Sequence, residues 1–370
     1  MTEEGLSLLV AIGQIALLGG LMFLIPSATR RGLLFGVYVG EDRSDAVEAR
    51  ALVRRWRIWM SGVVFAAAAI AVLAEFILPE GWSLGLSVIG LVLGFFGSYL
   101  AAHFRARDFA APNPGRVSTA SLEPESGDQS ILPVATLVIG GALAACSASY
   151  LAQNYDALPE QIPIHFDLSG TPDRWAGKSI WSVGFLPFMA FFLAALMSGV
   201  TWMVAHAKRV SRQEMTGVSV AAQDRFRRWM TWMTALIGVF TSGMFAVGAV
   251  STVRVATGAS ERLSLLFMLL GAGLVILPIA LVAFAALRIG QGGGRLEAAA
   301  SEAPLDAALA DNSKWRLGLI YLNPDDPAMF IEHRFGIGYT INFGNWKAVA
   351  LLLGFVGFSV GVSLLAALLT

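Results

Sequence analysis

The sequence predicts an all-α polytopic membrane protein of about eight transmembrane helices, both termini outside, with a small cytoplasmic α+β element. Three observations carry this. First, 56% of the 370 residues are hydrophobic and only 14% are charged, where a soluble domain carries about 25% charged residues. Second, eight stretches meet the spanning requirement of about 20 mostly apolar residues. Third, Lys and Arg are confined almost entirely to alternate connections between those stretches.

The predicted spans are Leu6–Ile25, Ile58–Leu78, Trp82–His103, Ile131–Ala152, Ile180–Ala205, Trp229–Val250, Leu263–Leu287 and Trp346–Leu369. Hydrocarbon leaves each only a helix, which satisfies its own backbone hydrogen bonds. Trp82, Trp181, Trp229, Trp232 and Trp346 fall near span ends, where aromatic belts form. Of the 26 Lys and Arg, only Arg174, Lys178, Arg254 and Arg262 lie on the side shared by the termini. The others fall in or beside four connections, and the positive-inside rule makes those cytoplasmic. The first span follows an acidic start without a basic n-region and is read as retained rather than cleaved.

Taken in order, residues 1–130 form a three-helix membrane region with cytoplasmic loops. Within it Leu33–Val39 has strand composition, and Asp45 with Glu48 offers an N-cap to a helix running through Trp56 into the second span. Arg50, Arg54, Arg55 and Arg57 sit near the lipid surface there, an ordinary anchor or, more sharply, an anionic-lipid site. Residues 110–130 read as a linker. Residues 131–205 form a helix–loop–helix with its loop at 153–179, and 206–289 hold two further spans. Residues 290–311 are a Gly-rich linker, 312–345 the cytoplasmic mini-domain, and 346–370 the last helix. Net charge is zero, so nothing favours nucleic acid. The single cysteine, Cys146, excludes an internal disulfide and is expected to be a buried small residue. The spans carry few polar groups, chiefly Gln14 and Glu75, which argues against a transporter. Gly90-x-x-x-Gly94 and Gly357-x-x-x-Gly361 are expected to mark close internal helix packing.

Two segments hold the chemistry. The first, Leu158-Pro-Glu-Gln-Ile-Pro-Ile-His-Phe-Asp-Leu-Ser-Gly-Thr-Pro-Asp-Arg-Trp-Ala-Gly-Lys178, is an outer loop by the charge rule. Pro159, Pro163 and Pro172 bias it toward extended backbone, while Asp167–Gly170 and Thr171–Asp173 are turn chemistry. His165, Asp167, Asp173, Glu160 and Lys178 are candidate acid/base groups or ligands. No zinc or protease spacing is present, so neither a metal nor a cofactor is expected and no residue is assigned a catalytic role. Pro159, Pro163, His165, Asp167, Gly170, Asp173 and Lys178 are the candidates for ligand or partner recognition.

In the second segment, Trp315–Trp346, Leu317–Leu322 reads as a strand and Asn323–Pro327 as a turn. Asp326 is expected to cap a short helix through His333. Gly336–Phe343 is a second strand, with Phe35–Val39 a candidate third. Its candidate residues are Trp315, Asn323, Asp326, Arg334, Gly336, Thr340 and Asn342.

The outer loop resembles the signature of the SdpI-type membrane proteins, an LP-x-x-IP-x-H-aromatic element followed by G-x-x-D and a distal basic residue. That resemblance implies positions Pro159, Pro163, His165, Gly170, Asp173 and Lys178. It also implies a bacterial inner-membrane protein: founding members confer immunity on a toxin-producing cell and sequester a transcriptional repressor. The second segment is similar to a short uncharacterised domain (W-x-x-G-x-x-Y-x-NP-x-DP, then R-x-GIG-x-T-x-NF) that follows such loops. It stands here in place of the family's usual C-terminal half. The expected function is therefore non-enzymatic sensing, immunity or signal relay, with a peptide or envelope ligand outside and a regulatory protein in the cytoplasm. The alternatives are an enzyme at the outer leaflet using His165, Asp167 and Asp173, or a transporter.

Overall fold

The computed structural model describes residues 3–78, 82–114, 131–167, 169–207, 217–296 and 307–369. Most of the two expected linkers lies outside these. The long helices are α1 (Glu3–Ala28), α2 (Val47–Ile77), α3 (Trp82–Ala106), α4 (Ile131–Asn154), α5 (Ile180–Ala205), α6 (Gly217–Ala256), α7 (Leu265–Phe284) and α8 (Trp346–Leu369). Seven are long and apolar enough to cross a membrane; α8 contributes a shorter apolar stretch, Trp346–Gly361. The protein is a multi-pass membrane protein in contact with the lipid bilayer. Phe65, Phe76, Leu93 and Leu265 accordingly point outward, since lipid tails solvate them as well as a protein core would. Cys146, expected to be buried, is exposed on α4 for the same reason.

The chain forms two compact units. The first comprises Met1–Pro124, Ala207–Trp229 and Ile279–Val349; the second comprises Glu125–His206, Met230–Pro278 and Ala350–Thr370.

In the first unit α1, α2 and α3 pack through small residues. A Cβ on Gly19 would lie 2.6 Å from Val64, and one on Gly94 2.4 Å from Val63, so the first predicted glycine spacing does bring helices together. Helix α2 runs unbroken from Val47 through Trp56, as expected. Its start has no side-chain cap: Asp45 instead pairs with Arg31 at 3.3 Å.

Among the described residues of this unit the strands form three two-stranded sheets rather than one three-stranded sheet. Strands β1 (Leu33–Leu34) and β2 (Val37–Tyr38) form a hairpin that reverses at Phe35–Gly36, both with positive φ (45° and 75°). The predicted strand Leu33–Val39 is thus folded in half. A second hairpin, β5 (Trp315–Arg316) and β6 (Ile320–Tyr321), turns at Leu317 and Gly318, φ 52° and 70°. The two turns meet: a Cβ on Gly36 would lie 2.7 Å from the Gly318 backbone. Only glycine permits that approach without strain. A third hairpin pairs β7 (Phe330–Glu332) with β8 (Tyr339–Ile341), and Tyr321 bridges to Asn342.

The expected helix from Asp326 to His333 does not form. Asp326 Oδ1 accepts from the Ala328 amide and Oδ2 from the Tyr321 hydroxyl, and Asn342 holds the Asp326 and Ala328 carbonyls. A carbonyl engaged by a distant side chain is withdrawn from a helical turn. Residues 290–296, expected to begin a linker, form a tight turn in which Gln291 is buried. Its amide oxygen accepts from Gly338 N and its amide nitrogen donates to Gly338 O.

In the second unit α4 packs on α5, with Gly140 against Ala194, while Gly238 of α6 lies against Met197 of α5 and Thr136 of α4. Helix α5 begins with a reciprocal cap, Ser179 and Ser182 exchanging side-chain and backbone bonds. Preceding it are the antiparallel strands β3 (Gln161–Phe166) and β4 (Pro172–Gly177). The Gly170 carbonyl at the hairpin turn accepts from Leu263 N. The two connections bearing the four segregated basic residues therefore touch each other. Gly357 and Gly361 meet nothing within 4 Å, so this second spacing, unlike the first, packs no helix closely.

Candidate functional site

The β3–β4 hairpin has two free edges, which is what tolerates Pro163 and Pro172 inside it. Its register shifts between Pro163 and His165 and again before Phe166, irregularities that re-aim side chains. There His165 Nδ1 meets Asp173 Oδ1 at 2.6 Å. An ionised carboxylate only accepts, so Nδ1 carries the proton and donates. His165 Nε2 makes no hydrogen bond among the described residues. Both side chains remain open, 47% and 44% exposed.

Asp167 organises the turn. Its Oδ1 accepts from the Ser169 amide, the Ser169 hydroxyl and the Thr171 amide. The Ser169 hydroxyl, then the Thr171 amide, hold this carboxyl below the usual carboxylate range. Gly170 adopts φ 80°, as the turn requires. Lys178 closes the base: Nζ donates to Leu158 O at 3.0 Å and lies 4.7 Å from the Tyr155 ring centre. Pro159 is exposed just before β3, and Pro163 is buried opposite Trp175.

A cavity of about 950 Å³ lies against one face of this hairpin. Its wall is Ile162–Asp167 and Gly170, the first turns of α5, one face near the end of α6, the start of α7, and Phe358 and Gly361 of α8. These all belong to the second unit. Polar side chains in the wall are His165, Asp167, Ser182 and Thr252. Of these, Ser182 is occupied by the α5 cap and by Gly177 O. His165 reaches the cavity, whereas its partner Asp173 is not part of the wall. Sequence reasoning found the extended piece and the turn but neither the strand pairing nor the cavity, whose trace in the sequence is the run of small residues on α6 and α7.

The second candidate set lies in the first unit and is almost wholly consumed by the fold. Asn342, 0% exposed, donates to the carbonyls of Asn323, Asp326 and Ala328 and accepts from the amides of Asn323 and Gly344. Asn323 donates to the Tyr321 hydroxyl. Arg334, 1% exposed, donates through Nη1 to Gly36 O and Asn312 Oδ1 and stacks 4.9 Å from the Trp315 ring centre. Its Nε and Nη2 have no partner among the described residues, and burial pushes its pKa down to about 9. Trp315 donates to Ala308 O. Gly336, φ 101°, donates from its amide to Thr29 Oγ1, and Thr340 sits on β8 opposite Ile331.

Asn312, Tyr99 and Gln291 were not singled out from sequence. Asn312 exchanges two hydrogen bonds with the Tyr38 backbone, serving β2 as a strand partner would. Tyr99 donates to Leu317 O and Phe35 O, tying α3 to both hairpin turns. Glu332 is held by Arg30 at 3.4 Å. Among the described residues no group of three or more His, Cys, Asp or Glu is arranged to hold a metal ion.

A domain of unknown function (DUF1648) matches residues 142–191, which include the hairpin and parts of α4 and α5. A second family of unknown function (DUF5808) matches residues 324–349, in the buried element of the first unit. No curated protein and no solved structure matches the chain. What the fold and these matches define is a membrane protein carrying two domains of unknown function.

Proposed function

We propose that this is a non-enzymatic, SdpI-type membrane protein that recognises a ligand through the β3–β4 hairpin and relays the bound state. In this reading both termini and the hairpin are extracytoplasmic, in the inner membrane of a bacterium. The relay partner is a regulatory protein that meets the 312–345 element in the cytoplasm. The observation that supports it best is the exposed His165–Asp173 pair: it is fixed in geometry, has an unused ring nitrogen, and sits on an element braced by Asp167, Gly170 and Lys178. Polar groups that the fold does not use are available for recognition. Relay requires two arrangements of the helices that the ligand binds unequally.

The test is to express His165→Ala and Asp173→Ala at normal level in the membrane and measure toxin resistance and membrane-stress responses. Loss of either is expected, and full retention of both overturns the reading. The same 2.6 Å pair also favours a second reading, a histidine base oriented by an aspartate for chemistry at the outer leaflet. There, Asp173→Asn would abolish turnover while leaving ligand binding intact.

A further inference from the structure

We infer that the cavity beside the hairpin binds a long-chain amphiphile, its aliphatic chain among α5, α6, α7 and α8 and a hydrogen-bond-donating head, hydroxyl or amine, at His165. This deepens the recognition reading by naming its ligand class, and it rests on that reading for its biological meaning.

The space is built into the sequence. Helix α6 presents Ala249, Thr252, Val253 and Ala256 at intervals that keep one face toward the cavity, and α7 presents Gly271 and Ala272. A Cβ placed on Gly271 or Gly361 would touch nothing within 4 Å. Protein interiors otherwise pack as densely as organic crystals, and wall atoms facing a void lose their dispersion contacts. At about 950 Å³ the cavity lies near the upper end of small-molecule sites, roughly 300–1,000 Å³.

The wall chemistry selects the occupant. A peptide threaded here would bury amide groups against a wall offering few partners, which is costly; an alkyl chain asks for none. Of the four polar side chains in the wall, His165 and Asp167 lie on the hairpin, Ser182 is taken up by the α5 cap and Gly177 O, and Thr252 stands on α6. With its Nδ1–H donated in a hydrogen bond to Asp173, His165 offers Nε2 as an acceptor. Asp167 adds a second oxygen, since its three hydrogen bonds all fall on Oδ1. Two acceptors call for a donor. A carboxylate or phosphate head would instead meet the Asp167 charge, for which the nearby cation is Arg262.

The test uses full-length protein in phosphatidylcholine nanodiscs. Three photoreactive hexadecyl probes, an alcohol, an amine and an acid, are added separately, and labelled peptides are mapped by mass spectrometry. The expected result is labelling of α5, α6 and α7 by the alcohol and amine above the acid. Gly271→Leu, at a position where a Cβ meets nothing within 4 Å, is expected to occupy the space and remove that labelling, and Gly361→Leu to do the same from α8. His165→Ala keeps chain labelling but removes the preference among heads. Equal labelling in wild type and both filled variants, labels spread over the lipid-facing surfaces of α1–α3, or the acid labelling best would each overturn the inference. Specific labelling with unchanged resistance in His165→Ala removes the recognition reading and leaves this one standing. A hairpin-dependent phenotype without labelling does the reverse.

Discussion

The β3–β4 hairpin and the 312–345 element are both short-stranded and dense in Asn, Asp, Arg, Gly and aromatic residues, yet they treat polar groups in opposite ways. In the second, Asn342 and Arg334 are 0% and 1% exposed and tie separate chain segments together. In the hairpin, His165 and Asp173 are 47% and 44% exposed and bind only each other within the described structure. Equal motif density therefore conceals different work: one element spends its polar groups on architecture, the other keeps them accessible.

Substitutions should separate the two regions in a definite order. The largest effect is expected from Arg334→Ala, which removes the guanidinium donor from Gly36 O, leaves Asn312 Oδ1 only the Tyr38 amide, and opens a void beside Trp315. Its cost is about 3 kcal/mol or more, read as faster amide hydrogen exchange across residues 312–345 and 33–39. An exchange pattern matching wild type would break the comparison. Asn342→Asp keeps the shape but replaces three amide-donated bonds with a carboxylate facing three carbonyls. About 2–3 kcal/mol is expected, and Asn342→Ala should do no worse, which comparison of the two exchange profiles checks.

A third probe is pH. Burial holds the His333 imidazole below its usual range, so the unfolded chain takes up a proton more readily than the folded one. The stability that His333 contributes to the first unit is therefore fully present above about pH 6.5 and is lost as pH falls through the lowered folded value. His333→Gln should flatten that decline in thermal unfolding at graded pH. The smallest stability effect belongs to the hairpin. His165→Ala and Asp173→Ala should each change stability by no more than about 1 kcal/mol, as for exposed pairs. Hydrogen exchange of residues 161–177 checks this, and a large rise would move the hairpin into the architectural class.

Legibility from sequence followed the range of the forces involved. The spanning helices, the extended backbone of Gln161–Phe166 and the turn at Asp167–Gly170 all follow from local composition. The expected helix after Asp326 failed because Asn342, distant in sequence, claims two of its carbonyls. The strand expected over Leu33–Val39 folded in half because Gly36 and Gly318 approach each other. Asp45 left its capping role for Arg31. Cys146 was misjudged by a rule for water, where apolar burial is driven; in lipid it is not.

The sequence by itself determined a multi-pass helical bundle, the segregation of basic connections and the two dense segments. Helix formation in hydrocarbon and turn chemistry at Pro, Gly and Asp are decided within a few residues. Tertiary structure alone decided which segment is buried, that His165 faces Asp173, and that small residues on α6, α7 and α8 leave a cavity beside them. Those outcomes depend on which side chains meet across distant segments, and no local pattern encodes the distance between them.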